Sequence, residues 1–503
     1  MNTQVQRMKD TEGVQGIESL PGPLLQEICR HVELYEAITT LPLVSKAFAR
    51  ALRKPGPRWA SLCLLPYTSM LSETPEDGAR ANFLVWLRPR ASSVTEVHAC
   101  IGNSESNNNS GFLIEQLCLT LTNALVCMRI HRDDDQESGA CGMFPGSFQL
   151  LTSCCERLQI LDMPLNGKVE DDHIKQLAQL RHLKELYLAF GGATDEQFST
   201  TMGFHVTRGW SHLTSLTKLW LDGGGLSSIR GMSALPHLAS LLLWNGQGLC
   251  LKGIEGSTSL TSLALEAPCL RLDNGSCWDP LAGLSQLRCL SIGEQLLQDG
   301  SSTVDNHSML VQVLQISQLQ DMTLFTETNE TVIAGAPDHL VPLHNALTCL
   351  NLRAPGWTAL RLGPDGLKPF QQLQKLDLHL PMRELPFELA HLHQLRLLEI
   401  TSGVYLRTAG SNDHPMDVTA IGSLGGAIEL VTLRHCQLIK VQASILDLAK
   451  RPNLRHVDFT GCTPSACAAN TWMHLTCFLM ALNARPAQGL GKVSVLPEFS
   501  LPE

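Results

Sequence analysis

The feature that most constrains this chain is a short phrase, Leu-x-x-Leu-x-Leu, that keeps returning at near-regular intervals. Clear copies are "HLKELYL" (182–188), "SLTKLWL" (215–221), "HLASLLL" (237–243), "SLTSLAL" (259–265), "QLRCLSI" (286–292), "ALTCLNL" (346–352), "QLQKLDL" (372–378), "QLRLLEI" (394–400) and "NLRHVDF" (453–459). Weaker copies stand at "ALVCMRI" (124–130), "RLQILDM" (157–163), "QLQDMTL" (318–324) and "AIELVTL" (427–433), and "SVTEVHA" (93–99) opens the series. From Leu125 to Leu454 the first apolar residue of successive copies steps by 22 to 33 residues, about 27 on average. A chain that was merely Leu-rich would not hold that phase for so long. Alternating apolar positions make a short strand with one face buried, and the rest of each unit must bring the chain back over the buried side. One unit alone leaves its apolar face half exposed, so the units must stack. Each buried Leu contributes ~1.5–3 kcal/mol of transfer free energy, largely offset by the entropy of ordering the chain.

Composition agrees with this reading. The chain has 503 residues, 44% of them hydrophobic and only 5% aromatic. That is a large core with few aromatic rings to fill it, which favours a Leu-lined array over a compact enzyme. The phrase resembles the leucine-rich-repeat family over residues 94–465. The family's polar or Cys residue, three places after the last Leu, stands here at Asn166, Cys436 and Cys462; elsewhere that place holds Gly191, Gly224, Pro268 or Pro355. The terminal units resemble the Cys-containing kind, and "MRELPFELAHLHQLRLLEI" resembles the plant intracellular kind, with a Leu-Pro-x-x-Leu return segment. The resemblance implies an α/β solenoid, a horseshoe of mixed curvature. Inserts at 101–116, 189–212, 326–345 and 402–420 are rich in Gly, Ser, Thr, Asn and Asp and belong on loops. Residues 466–483 carry Trp472, Leu475, Phe478, Leu479 and Leu482 at helical spacing, which predicts a helix capping the last sheet edge. Residues 484–503 read as a tail.

The front of the chain lacks the phrase. Residues 1–16 have no apolar patterning. In "IESLPGPLLQEICRHVELYEAITTLPLVSKAFAR" (17–50), Leu24, Leu25, Ile28 and Val32 fall on one helical face. Pro42 interrupts the apolar spacing that Ile38 and Leu41 continue, and Ser45 can cap a third short helix bearing Phe48 and Leu52. Three short helices in so few residues make a small core with apolar surface left over. Together with "PRWASLCL", residues 17–64 resemble the F-box family: Leu-Pro near the start, paired Leu and Ile on the first helix, Val-Ser-Lys before an aromatic, then a Trp. The resemblance implies an all-helical module that binds the Skp-type adaptor of a cullin-RING ubiquitin ligase, with Leu20, Pro21, Leu24, Leu25, Ile28, Val44 and Phe48 at the matching positions. The other reading is that these residues only cap the amino-terminal end of the solenoid. Residues 65–93, with "WLRPR", connect module and repeats and should set their orientation.

The remaining features mostly exclude. A formal charge of −10 and a pI near 6.0, with no long basic run, argue against a nucleic-acid partner. No stretch approaches the roughly 20 apolar residues of a membrane span, and the first residues have no apolar leader, so a cytoplasmic or nuclear protein is expected. The 17 Cys form no Cys-x-x-Cys pair and read as small buried hydrophobes in a reducing compartment, which makes the sequons at Asn108, Asn274, Asn306 and Asn329 chance matches. Asp133-Asp134-Asp135 reads as a solvated loop. His391 and His393 lack ligand spacing, Cys154-Cys155 and Cys462/Cys467 read as structural, and no phosphate-loop, dinucleotide, nucleophile-elbow or zincin motif occurs. No catalytic site, metal or cofactor is expected.

Side chains between the inward Leu positions should line the concave surface as a rigid binding wall. Tyr187, Trp220 and Trp244 are read as equivalent positions in three copies, flanked by Glu185, Lys218 and Asp222. Aligned aromatics suit a client hot spot; they also suit a buried cross-strand ladder. Farther along come Glu266, Asn351, Arg353, Lys375, Asp377, His379, Glu399, Arg434, His456 and Asp458, which fit either a solvated face or a site for a charged peptide or small ligand. The two resemblances together imply a non-catalytic adaptor, a front module attaching it to the ligase and a repeat face, with Arg353, Asp377 and His379 among its candidates, holding a client protein. A repeat scaffold outside ubiquitination is the alternative.

Overall fold

Strands form where the phrase predicts them, for a local reason. In the computed structural model "SLTSLAL" gives strand Ser262–Glu266, in which Leu263 and Leu265 are buried while Ser262, Ala264 and Glu266 face outward. The period of two places every second side chain on one side, and the Leu positions occupy that side. The structure describes residues 59–64, 83–101, 108–121, 123–132, 147–166, 171–191, 204–205, 208–223, 226–229, 231–244, 251–266, 279–293, 318–325, 346–353, 367–368, 370–379, 385–401, 415–441, 445–460, 462–464, 469–483 and 494–496, together with Leu20, Pro21, Leu24, Leu25, Ile28, Lys46, Leu52, Ile316 and Ala443. Asp133-Asp134-Asp135 and Cys467 lie outside these. The chain divides into two compact units, Met1–Gln197 and Phe198–Glu503. The division falls within the insert 189–212, inside the span 94–465 expected as one solenoid.

In the first unit five parallel strands follow chain order: β1 (Ser61–Cys63), β2 (Glu96–Ile101), β3 (Cys127–Arg132), β4 (Ile160–Asn166) and β5 (Glu185–Gly191). Helices α1 (Asn108–Leu121), α2 (Phe148–Cys154) and α3 (Asp171–Leu177) occupy the return segments. Their Leu117, Leu121, Phe148, Leu151, Ile174 and Leu177 are buried, as are Val97, Met128, Leu161 and Leu186 of the strands.

Strand β1 corrects the expectation of an all-helical front module ending at residue 64. Ser61–Cys63 pairs with Glu96–His98, so the end of that segment is the first strand of the sheet. The physical reason is that Leu62 and Leu64 bury on the core side, a two-residue period that helical spacing does not give. The connecting segment is tied down by Arg90, which is buried in a 3₁₀ turn (Arg88–Ser93) with Pro89 as its second residue. Its Nε donates to the Leu52 carbonyl at 2.9 Å, Nη2 donates to the same oxygen, and Nη1 donates to the Trp86 carbonyl. The guanidinium lies 5.5 Å from the Trp59 ring centroid and 4.4 Å from that of Trp86. Arg90 of "WLRPR" thus ties the connecting segment to Leu52 through one buried cation packed beside the edge-to-face pair of Trp59 and Trp86.

In the second unit the long run of parallel strands is β6 (Lys218–Asp222), β7 (Ser240–Trp244), β8 (Ser262–Glu266), β9 (Cys289–Ile292), β10 (Asp321–Phe325), β11 (Cys349–Arg353), β12 (Lys375–His379), β13 (Leu397–Thr401), β14 (Leu430–Arg434), β15 (His456–Asp458) and β16 (Ser494–Leu496), again in chain order, and short strands pair in parallel beside it, Phe204–His205 with Leu226–Ser228 and Gln437–Lys440 with Pro415–Asp417 and Thr463–Pro464. Return segments here are tight. Among the described residues, the 22-residue step from Leu216 to Leu238 holds the short strand Leu226–Ser228 and the 3₁₀ turn Met232–Ala234 after β6, and the Leu-Pro-x-x-Leu segment forms 3₁₀ turn Phe387–His391, with Leu385, Leu389 and Leu392 buried. Cys436 and Cys462 act as the repeat pattern implies: their buried thiols donate to the carbonyls of Arg434 and Leu433, each at 3.2 Å.

At the end of the chain, α4 (Ile445–Ala449) packs beside α5 (Ala469–Asn483). Leu475, Phe478 and Leu482 of α5 are buried, and the Phe478 ring meets Phe459 with centroids 6.2 Å apart. The Trp472 side chain lies outside the described residues. The reading of 484–503 as a tail is corrected, because Ser494–Leu496 pairs in parallel with His456–Asp458 and adds a strand beyond β15. Val495 pairs with Val457, and β-branched residues around Ser494 suit an extended backbone that Pro497 then ends. Among the described residues no helix is long and apolar enough to cross a membrane.

Candidate binding face

The outward side chains of the strands form rows fixed by register. In the first unit, His98, Arg129, Asp162 and Tyr187 are paired one to the next across β2, β3, β4 and β5. Burial pushes the Asp162 carboxyl up, opposed by His131, Arg129 and His98. The Tyr187 hydroxyl donates to Glu185 Oε2 at 3.0 Å, and burial together with that bond pushes it to about 12, so it stays neutral. His98, Arg129 and Asp162 were missed in the sequence. Each is the sixth residue of its seven-residue copy, between the last two apolar positions, and that place was the available signal.

In the second unit the aromatic positions are not equivalent. Trp220 pairs with Leu242, whereas Trp244 pairs with Asp222 on one side and Glu266 on the other. Trp244 therefore stands two residues farther along its strand than Trp220, which corrects the expected aligned patch. The reason is that "HLASLLL" already ends at Leu243, so Trp244 follows the phrase where Trp220 lies within it. Trp220 is half-buried; Trp244 is 51% exposed, between two carboxylates. Gly223, at a φ of 122°, turns the chain beyond β6 and donates its amide to the Trp244 carbonyl at 2.8 Å.

A second cluster joins β11 to β15. Arg353 Nη2 lies 3.6 Å from Asp377 Oδ2, and His379 Nε2 lies 2.9 Å from Asp377 Oδ1. Arg434 bridges outward carboxylates, with Nη1 3.3 Å from Glu399 Oε1 and Nε donating to Asp458 Oδ2 at 3.2 Å. Burial pushes the Asp458 carboxyl up, but hydrogen bonds from the Thr460 hydroxyl (2.6 Å) and amide (2.9 Å) and the Arg434 guanidinium outweigh it and hold the group below its usual range. Asp377, His379 and Glu399 bring three potential ligand atoms within 4.8 Å of one another. Sequence spacing did not signal this, because Glu399 is brought in by strand pairing. The exposed His391 and His393 sit on the return segment away from any such group.

At the front, Pro21 opens a helical turn by accepting the amides of Leu24 and Leu25 at 3.0 and 3.1 Å. Leu25 is buried, whereas Pro21 is exposed, Leu24 is 47% exposed and Ile28 36%. Leu20 is half-buried. Val44 and Phe48 lie outside the described residues. The expected docking set is thus divided: Leu25 faces inward, and Pro21, Leu24 and Ile28 form an outward apolar edge.

No protein-family model matches the chain, and no curated protein matches it. Among solved structures it is similar to a leucine-rich-repeat protein of Leptospira interrogans, with 16% identity and a TM-score of 0.46 over 89% of this chain and 97% of that one. It is similar also to an internalin of Listeria monocytogenes, with 15% identity and a TM-score of 0.42 over 87% and 97%. The parallel strands and their Leu-x-Leu register give this chain a leucine-rich-repeat architecture.

Proposed function

We propose that the chain is a non-catalytic substrate-recognition adaptor of a Skp-cullin-F-box type ubiquitin ligase, its front segment docking the Skp-type adaptor and through it a cullin, and its sheet face holding a client protein. The observation that carries this is the outward edge of Pro21, Leu24 and Ile28 beside an inward Leu25. A helix that only capped the repeats would have no use for two large apolar side chains in solvent, whereas a docking helix needs them. Trp244 supplies the client face with a large, exposed, rigid side chain of the kind that anchors protein interfaces. Client lysines held near a charged ubiquitin carrier would then react through raised effective concentration, without a catalytic group on this chain. Localisation in cytoplasm or nucleus belongs to this reading.

The test is co-purification of the full chain with the Skp-type adaptor. Ile28→Asp or Leu24→Asp should abolish capture while the melting temperature is unchanged. Leu25→Asp is the wrong probe, since a carboxylate at that buried position unfolds the segment. A well-folded wild-type chain that never captures the adaptor sinks the proposal. It would favour the second reading, a repeat scaffold outside ubiquitination, which draws on strand β1 and on the Arg90 anchor that tie residues 61–63 and Leu52 to the repeat body.

A further inference from the structure

We infer that the outward face of β12 and β13 holds a divalent transition-metal ion, ligated by Asp377, His379 and Glu399. This does not rest on the ubiquitin-ligase reading. Parallel pairing builds the site on four corners of a rectangle. Asp377 pairs with Glu399 and His379 pairs with Thr401, while within each strand the two residues are separated by one position and so share a face. A strand spacing of about 5 Å and a two-residue repeat of about 7 Å are the dimensions over which side chains converge on a single ion.

Two observations separate this arrangement from an ordinary surface ion-pair network. Asp377 is 2% exposed, yet its Oδ1 is buried without accepting a hydrogen bond from any described residue. His379 Nε2 approaches that oxygen to 2.9 Å but outside hydrogen-bonding geometry, so the contact sets two potential ligand atoms side by side. At the fourth corner the Thr401 hydroxyl oxygen is likewise buried with no described hydrogen-bond partner. Burying polar atoms unpaired is unfavourable, and a cation ligated by Asp377, His379 and Glu399 satisfies the Asp377 oxygen.

The arginines fit as supports. Arg353 holds Asp377 by Oδ2 and Arg434 holds Glu399 by Oε1, leaving the other oxygen of each carboxylate for the ion. Partners of this kind orient ligating carboxylates in metal sites. One imidazole nitrogen and two carboxylate oxygens suit zinc, manganese, iron or cobalt in the divalent state better than the all-oxygen cage of calcium. Three protein ligands leave positions for water or for an acidic group of a bound partner.

The experiment is titration of the full, reduced chain with Co²⁺, followed by calorimetry and visible absorption. One equivalent should bind with the weak bands of oxygen and nitrogen ligation and without the intense near-ultraviolet absorption of thiolate ligands, which separates this site from the chain's cysteines. His379→Ala and Glu399→Gln should each weaken binding at least tenfold, with metal-free melting temperatures equal to wild type. His391→Ala with His393→Ala should change nothing. No stoichiometric uptake, uptake with thiolate absorption, or uptake indifferent to His379→Ala would each overturn the assignment and leave an ion-pair network only.

Discussion

Arg90 has no equivalent in a repeat pattern, and it ties together parts of the chain 38 residues apart. Its guanidinium donates to the carbonyls of Leu52 and Trp86 and lies against the rings of Trp59 and Trp86. Removing one partner of a buried charged hydrogen bond leaves the carbonyls unsatisfied and the stacking lost. Arg90→Ala should therefore destabilise the first unit by ~3 kcal/mol, read from urea denaturation, with Arg90→Lys recovering only part because ammonium cannot serve both carbonyls in one plane. Asp458 gives a residue-level pH dependence. Its folded pKa lies below the unfolded value of about 3.9, so its stabilising contribution is complete above that value and is lost as pH falls through the lowered folded value. Denaturation midpoints between about pH 5 and pH 2.5 should fall less steeply for Asp458→Asn than for wild type; identical slopes would show that the group does not titrate as its partners dictate.

The repeat phrase specifies each strand but not what stands beside it. Register decides that, and it moves Trp244 away from Trp220 and into contact range of Asp222 and Glu266. The same pairing turns residues distant in sequence, Asp377 and Glu399, into a convergent group. Strand β8 shows what stacking contributes. Leu263 sits between Leu241 and Leu290, all three buried. Leu263→Ala should cost ~2–5 kcal/mol, and because each repeat leans on its neighbours the loss should be local. Hydrogen exchange should rise in β7, β8 and β9 well before β13 and β14; uniform deprotection along the unit would contradict a nearest-neighbour stack.

Over the whole molecule, the stacking of parallel strands was legible in the sequence because burial has a period of two within a strand and a period near 27 residues between strands. The front segment stands apart in the sequence by the loss of that rhythm, yet its end was misassigned: Leu62 and Leu64 are too few alternations to outweigh the helical spacing before them. The last strand, Ser494–Leu496, was missed for the same reason, since three residues carry no periodicity. Sequence alone determined that this chain stacks Leu-lined repeats behind a different front segment, because inward positions are chosen by hydrophobicity and repeat in one dimension. Tertiary structure alone decided which outward residues meet, whether Leu25 or Ile28 faces solvent, and that one imidazole and two carboxylates converge. Those outcomes depend on register between strands and on packing across the chain, and neither leaves a local pattern in the order of the amino acids.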